Sequence, residues 1–369
     1  MSERVERVQL VSPYALSVPG GVQTQVRAMA RELASRGLSV TVCSPGVRDD
    51  VFDSLGIAHV AVGPVVGVPA NGSRAPVTFS PRASRTFASI AATLRDGVVH
   101  VHEPFAPVAA YGVLRAHRRP IVATFHRGGG GPAYLVGKPV FALLARGIDE
   151  AVAVSEFAAT TIARATGIHP EVLFNGIEAD LISSSVPTPT TAPTILFVGR
   201  HEERKGLGVL LDALGRVDLP IECWVLGAGP QTEPLRRRHE SDGRISWLGA
   251  VSDHEKFARL RGADVLCVPS LRGESFGLVP LEGMAAGTAV VASDIEGYRE
   301  ATAGHARLVA PNDPAALAIA LCDAIERPAT KSELDAARAH ASAWSMASLV
   351  DEYLVRYERA AASFARARS

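Results

Sequence analysis

Cysteine is scarce in this chain of 369 residues. Cys43, Cys223, Cys267 and Cys322 stand far apart, which excludes a disulfide-dense scaffold and the paired spacings of zinc and redox sites. They sit mostly in apolar runs and read as buried thiols of a reducing compartment. Net charge is nil, with 38 Lys+Arg against 38 Asp+Glu, so the global basic excess of a nucleic-acid binder is missing. No apolar run approaches the roughly 20 residues of a membrane span. Met1-Ser2-Glu3-Arg4 leads straight into a strand-like run without a signal-peptide apolar core. The expectation is a cytoplasmic protein, at most peripheral at the cytoplasmic face of the plasma membrane.

Apolar residues are plentiful at 47%, enough for buried parallel sheets, and the length suits two α/β domains better than one core. Residues 8–11 read as a strand, 13–21 as a Pro/Gly loop, and 22–36 as a helix stopped by Gly37. Short β-branched runs at 40–43, 98–101, 121–124, 151–154 and 172–173 continue the series. It restarts at 194–198 and passes through 222–226, 245–248, 265–268 and 289–292. Strands alternating with helical stretches predict two doubly wound, Rossmann-like α/β domains facing a central cleft. The boundaries expected are residues 1–182, a Ser/Thr/Pro-rich linker at 183–193, and 194–345. A helix over 346–369, with Leu349, Tyr353 and Val355-Arg356-Tyr357 near one face, is expected to pack back on the first domain.

Charge is uneven. Residues 1–170 hold 17 Lys+Arg against 11 Asp+Glu, whereas 171–369 hold 21 against 27. A basic half suits an anionic partner such as a phospholipid membrane surface; scattered surface imbalance is the plainer reading. Residues 80–96 offer Arg82, Arg85 and Arg95 with Phe87, Ile90 and Leu94 on a helical face. Such a helix lies in a bilayer interface or, as the reading prefers, faces a core with its arginines solvated.

Several segments carry chemistry. Glu274-Ser275-Phe276-Gly277-Leu278 follows the strand at 265–268 and leads into a helix expected to start near Phe276. An unpaired helix N-terminus favours a diphosphate. Glu274 in the loop and Glu282 inside the helix offer one carboxylate to a sugar and one to ribose hydroxyls; a capping and a solvated glutamate are the alternative. Gly199-Arg200-His201-Glu202-Glu203-Arg204-Lys205-Gly206 follows the strand at 194–198. Arg200 and Lys205 there can neutralise a leaving nucleoside diphosphate, or the segment is a solvated charged loop. Pro19-Gly20-Gly21-Val22-Gln23 allows close backbone approach at a helix start, without the dinucleotide G-x-G-x-x-G spacing. His126 ends a strand, where it can meet a sugar hydroxyl or be structural. Gly227 and Gly229 end another strand, as an approach to phosphate or as a plain turn.

Together these segments resemble the retaining glycosyltransferases of family 4, which have the GT-B fold, and most of all the phosphatidylinositol α-mannosyltransferases of actinobacteria. The likeness also runs through Ser12-Pro13-Tyr14, His102-Glu103-Pro104, Met284-Ala285-Ala286-Gly287 and Trp344-Ser345. It implies an N-terminal acceptor-binding domain, a C-terminal nucleotide-sugar domain and a GDP-mannose donor. It further implies transfer with retention to a phosphatidylinositol-type lipid, no cofactor and no metal. Arg200 and Lys205 fall on the diphosphate, Glu274 near the sugar, Glu282 near the ribose, Gly21 beside the donor phosphate and His126 at the reaction centre. Gly20, Gly199, Gly227, Gly229, Ser275, Phe276, Gly277 and Leu278 complete the donor set. Val251, Asp253 and Lys256 resemble a base pocket, in which Asp253 accepts from guanine N1–H and N2–H; a helix N-cap at Ser252 or Asp253 is the alternative. Tyr14, Gln23 and Arg127 are the acceptor candidates.

The departures fall on the acceptor side. Arg127-Gly128-Gly129-Gly130-Gly131-Pro132 replaces a Thr/Ser-containing stretch, Ser17 an acidic residue, and Arg272 a glycine. Another nucleotide sugar or a non-lipid acceptor is therefore kept as the alternative, and a non-catalytic sugar-nucleotide-binding protein as the third reading.

Overall fold

The computed structural model describes residues 5–18, 20–70, 73–126, 132–274 and 276–368. They form two units, Met1–Gly176 with Met346–Ser369, and Ile177–Ser345.

The first unit holds β1 (Arg7–Val11), β2 (Ser39–Ser44), β3 (Ala58–Ala61), β4 (Val66–Ala70), β5 (Ser73–Val77), β6 (Gly97–His102), β7 (Ile121–Phe125), β8 (Glu150–Ala153) and β9 (Glu171–Val172). Seven of them make a parallel sheet in the order β3-β2-β1-β6-β7-β8-β9, while β4 and β5 pair as an antiparallel hairpin. All six positions of β6 are buried, as a strand covered on both faces requires. Side chains alternate across it. Val98 joins the core under the helices Gly21–Ser35 and Met346–Arg366; Val99 and Val101 join the core under the helix Pro81–Thr93. In that last helix Phe87 is fully buried and Arg82 and Arg85 are exposed, so its apolar face belongs to the core. The closing helix buries Leu349, Tyr353, Arg356 and Tyr357, while Val355 turns outward, 54% exposed.

The second unit holds β10 (Thr194–Val198), β11 (Glu222–Leu226), β12 (Ile245–Gly249), β13 (Val265–Val268), β14 (Ala289–Ser293) and β15 (Arg307–Val309), in the order β12-β11-β10-β13-β14-β15, all parallel. Leu196, Trp224 and Leu266 face one helical layer and Ile195, Cys223 and Val265 the other. Two parallel α/β sheets, one to a unit, are the two doubly wound domains that the alternating strands and helices predict.

The division falls six residues before the expected end of the first domain at 182. The Gln25 amide grips both backbone groups of Gly176, donating to its carbonyl at 2.7 Å and accepting from its N–H at 2.9 Å. Immediately beyond, Ile177, Ala179 and Ile182 are buried in the second unit. Residues 183–193 do not behave as a bare linker either. Thr188 donates from its backbone to Ala258 at 2.9 Å, and a Cβ on Gly262 would come within 2.2 Å of the Thr188 carbonyl. That stretch is an arm laid along the second unit.

Sheet order reverses between β1 and β6 and again between β10 and β13. Crevices at the C-terminal strand ends of such switch points are where open parallel sheets take ligands.

Candidate functional site

In the second unit the switch point brings together the loops after β10 and β13. The backbone N–H of Leu271 donates to the Arg204 carbonyl at 2.7 Å. Gly206 has φ +70°, and a Cβ there would sit 1.9 Å from the Pro269 carbonyl oxygen, so only glycine lets the loops lie this close. Across this seam Oε1 of Glu274 meets Lys205 Nζ at 2.7 Å and Arg204 Nη1 at 2.9 Å. Arg204 also binds Glu202 at 3.0 Å, and Arg200 reaches Glu202 at 3.1 Å. Three cations and two carboxylates thus form one chain at the strand ends.

Behind it, the Ser270 hydroxyl lies 3.4 Å from Glu274 and 2.8 Å from the buried Tyr298 hydroxyl. Burial, joined by the Glu274 charge, pushes the Tyr298 phenol well above its ordinary pKa, so it stays protonated. A Cβ on Gly297 would come within 2.4 Å of the Glu274 carbonyl oxygen, which seats the helix Glu296–Thr302 against the loop.

The helix after this loop begins at Leu278, two residues later than expected, with Gly277 as its cap. Gly277 packs so closely on Ala301 that a Cβ would meet it at 2.6 Å, and Phe276 is left in the loop, its ring 4.9 Å from that of Trp344. Glu282 is buried about one turn inside, and its carboxylate binds Lys256 at 2.8 Å; Asp253 lies 3.9 Å from the same ammonium. Burial opposes the Lys256 charge, but Glu282 and then Asp253 outweigh it, so the ammonium titrates above its ordinary value. Ser252 caps the helix Asp253–Gly262 by accepting from Glu255 N–H, which leaves the Asp253 carboxylate out of the cap; Val251, just before, is half-buried.

Gly227 and Gly229 serve the protein's own backbone. A Cβ on Gly227 would meet the Gly199 carbonyl at 1.9 Å, and one on Gly229 would meet His201 backbone at 2.6 Å. His201 ties the same turn together through Thr232 at 2.8 Å, and burial holds its imidazole below the ordinary value.

In the first unit Gly20 is extended, and a Cβ on it would strike the Gln23 side chain at 2.5 Å. Gln23 is buried there, folded over Gly20 rather than presented on the surface. Gly21 opens the helix Gly21–Ser35, and beyond its chain neighbours and its own helix backbone a Cβ there would meet open space. Tyr14 is half-buried and bridges to Val77. His126 follows β7, with Nε2 2.9 Å from Nδ1 of His102. Burial lowers its pKa to about 4, against a hydrogen bond to Asn175 that raises it. Arg127 and Ser275 lie outside the described residues.

The structure therefore joins Lys205 directly to Glu274 and Arg200 indirectly, through Glu202 and Arg204. It puts Glu282 in a separate pair with Lys256. Arg204, Glu202, Ser270 and Tyr298 join the site with no local sequence signal for a role there, as do His102 and Glu103 beside His126. Among the described residues no group of three or more His, Cys, Asp or Glu could hold a metal ion. No described helix is long and apolar enough to cross a membrane.

Residues 19–181 match the family described as Glycosyltransferase Family 4, and residues 192–327 that described as glycosyl transferases group 1. The chain is 36% identical to a phosphatidyl-myo-inositol mannosyltransferase of Mycobacterium leprae over 97% of its length and 98% of the relative's. The Mycolicibacterium smegmatis protein of the same name is 36% identical over 93% of this chain and 91% of that one. Among solved structures, a glycosyltransferase of Rickettsia africae superposes with a TM-score of 0.74 at 21% identity, covering 96% of this chain and 98% of that one. Anabaena HepE in complex with UDP gives 0.70 at 17% identity, covering 95% and 100%.

Proposed function

This chain belongs to the family 4 glycosyltransferases, and on that premise we propose that it moves mannose from GDP-mannose, with retention, onto a phosphatidylinositol-type lipid. The observation that carries the reading is the cation–carboxylate chain at the β10/β13 switch point, in a protein alike over nearly its whole length to relatives named phosphatidyl-myo-inositol mannosyltransferase. Lys205 and Arg200, with Arg204 beside them, take the diphosphate; Glu274 turns to the sugar. As the bond from the anomeric carbon to the diphosphate oxygen breaks, negative charge grows on the leaving group, and fixed cations stabilise it. The acceptor oxygen bonds the same carbon and its proton passes to the departing diphosphate. Glu282 meets the ribose, Asp253 and Lys256 the base, and His126 serves the reaction centre. The membrane face where such a lipid resides is the expected place of work.

One observation favours a second acceptor or donor, namely the glycine run after His126 in place of the family's Thr/Ser stretch. The test is purified protein with radiolabelled GDP-mannose and phosphatidylinositol vesicles, its product identified by mass spectrometry. A mannosylated phosphatidylinositol is expected. Turnover with another nucleotide sugar or acceptor, and none with this pair, would overturn the reading.

A further inference from the structure

Resting on the reading that His126 works at the reaction centre, we infer that His102 is a positioning residue that fixes His126 as its Nδ1–H tautomer, making it a hydrogen-bond donor rather than a base. His100 and His102 share one face of β6. His100 is pinned at both nitrogens, Nδ1 by the Tyr357 hydroxyl at 2.8 Å and Nε2 by Thr124 at 2.7 Å, with Tyr353 on Thr124 at 2.7 Å. His102 stacks on that ring at 4.3 Å between centroids and on His126 at 5.2 Å, both at 24°. The closing helix thus holds a column of three imidazoles in place.

His102 Nδ1 and His126 Nε2 share one proton across 2.9 Å. If His126 supplied it, His102 would carry its own proton on Nε2, which is buried without a partner among the described residues. If His102 supplies it, the atom left over is only an acceptor. A stranded N–H costs more to bury than an unused lone pair. His102 therefore donates, the Nε2 lone pair of His126 is consumed, and the His126 proton sits on Nδ1. Asn175 hydrogen-bonds His126 in the sense that favours a ring proton, and burial holds both rings neutral near pH 7. Glu103 secures the same residue from behind. Successive strand side chains point to opposite faces, but Glu103 has φ +44°, and its carboxylate turns to accept from the His126 backbone N–H.

The test is ¹⁵N NMR of histidine-labelled protein without substrate, with His126 assigned by its loss in His126→Gln. Wild type should show His126 protonated on Nδ1 and bare on Nε2. His102→Leu should give a mixture of tautomers, and His102→Asn, whose amide N–H reaches a similar place, should restore the single form. In turnover, His102→Leu should lower kcat about tenfold or more with KM for the nucleotide sugar nearly unchanged, and His102→Asn should recover most of it. A protonated Nε2 in wild type, or a His102→Leu enzyme with wild-type tautomer and kcat, overturns the inference. The NMR arm uses no substrate, so a wrong donor or acceptor assignment would leave it standing, and its failure would leave the transfer assay untouched.

Discussion

Lys205 and Glu274 form an ion pair of 2.7 Å between two loops far apart in the chain, and both partners are mostly shielded, at 18% and 11% exposure. The pair is possible because β10 and β13 are neighbours in the sheet and Gly206 lets their loops touch. On the proposed function, an arriving diphosphate would compete with Glu274 for the same cations.

That competition separates binding from turnover. Glu274→Gln should bind GDP several-fold more tightly, since a repelling carboxylate is gone, while kcat falls by about a hundredfold or more. Lys205→Ala should weaken GDP binding about tenfold and lose most turnover. Calorimetry of GDP binding beside steady-state kinetics reads both. Glu274→Gln with full turnover removes that residue from the mechanism.

The seam between the loops makes a stability prediction. Gly206→Ala forces a side chain into left-handed backbone and onto the Pro269 carbonyl, and should cost about 2 kcal/mol or more. Gly243→Ala, at a glycine with nothing within 4 Å and ordinary φ, should stay within about 0.5 kcal/mol of wild type. Urea unfolding checks both; equal effects would mean the seam is not tight.

What the residues alone disclosed follows from local physics. The apolar run Thr194–Val198 and the loop after it are visible because a buried parallel strand needs continuous apolar residues. The hairpin of β4 and β5 was hidden by Gly67, Pro69 and Pro76, which interrupt any strand pattern. Glu274 and Lys205 stood out as charged residues at strand ends, yet the role of Arg204 depends on which strands lie side by side, and no local pattern encodes that. His102 sits in a run where every position is buried, so periodicity could not say that it faces His100 and His126. The end of the first unit was misplaced because Ser, Thr and Pro at 183–193 imitate a linker, whereas the real boundary rests on the grip of Gln25 on Gly176.

The imidazole column makes the fold acid-sensitive in a definite window. Burial lowers His126 to about 4, and burial with the His126 charge lowers His100 to about 3. The unfolded chain takes up these protons below about pH 6.5, the native state only near pH 3–4. Their contribution is full above pH 6.5 and is lost as pH falls toward the folded values. Most carboxylates begin to titrate only lower. Unfolding free energy should therefore start to fall already between pH 6.5 and 5, and His100→Gln should reduce that slope by about one proton. An unchanged slope in the variant would show that His100 is not held neutral.

Base selection is the last consequence, and on the proposed function it turns on Asp253. Because Ser252 supplies the cap to Glu255 N–H, the Asp253 carboxylate is not spent on the helix and is available to the two N–H donors that guanine presents and uracil does not. A site built to accept from such donors discriminates strongly against a ligand lacking them. Asp253→Ala should cut the preference for GDP over UDP by about tenfold to a hundredfold while leaving stability nearly unchanged. Ser252→Ala should do the reverse, costing about 1 kcal/mol of stability with the preference intact. Thermal shift titrations of each variant with GDP and UDP measure both quantities at once. If Asp253→Ala keeps the wild-type preference, guanine is selected by some other group or not at all, and the GDP-mannose assignment loses its support from this pocket.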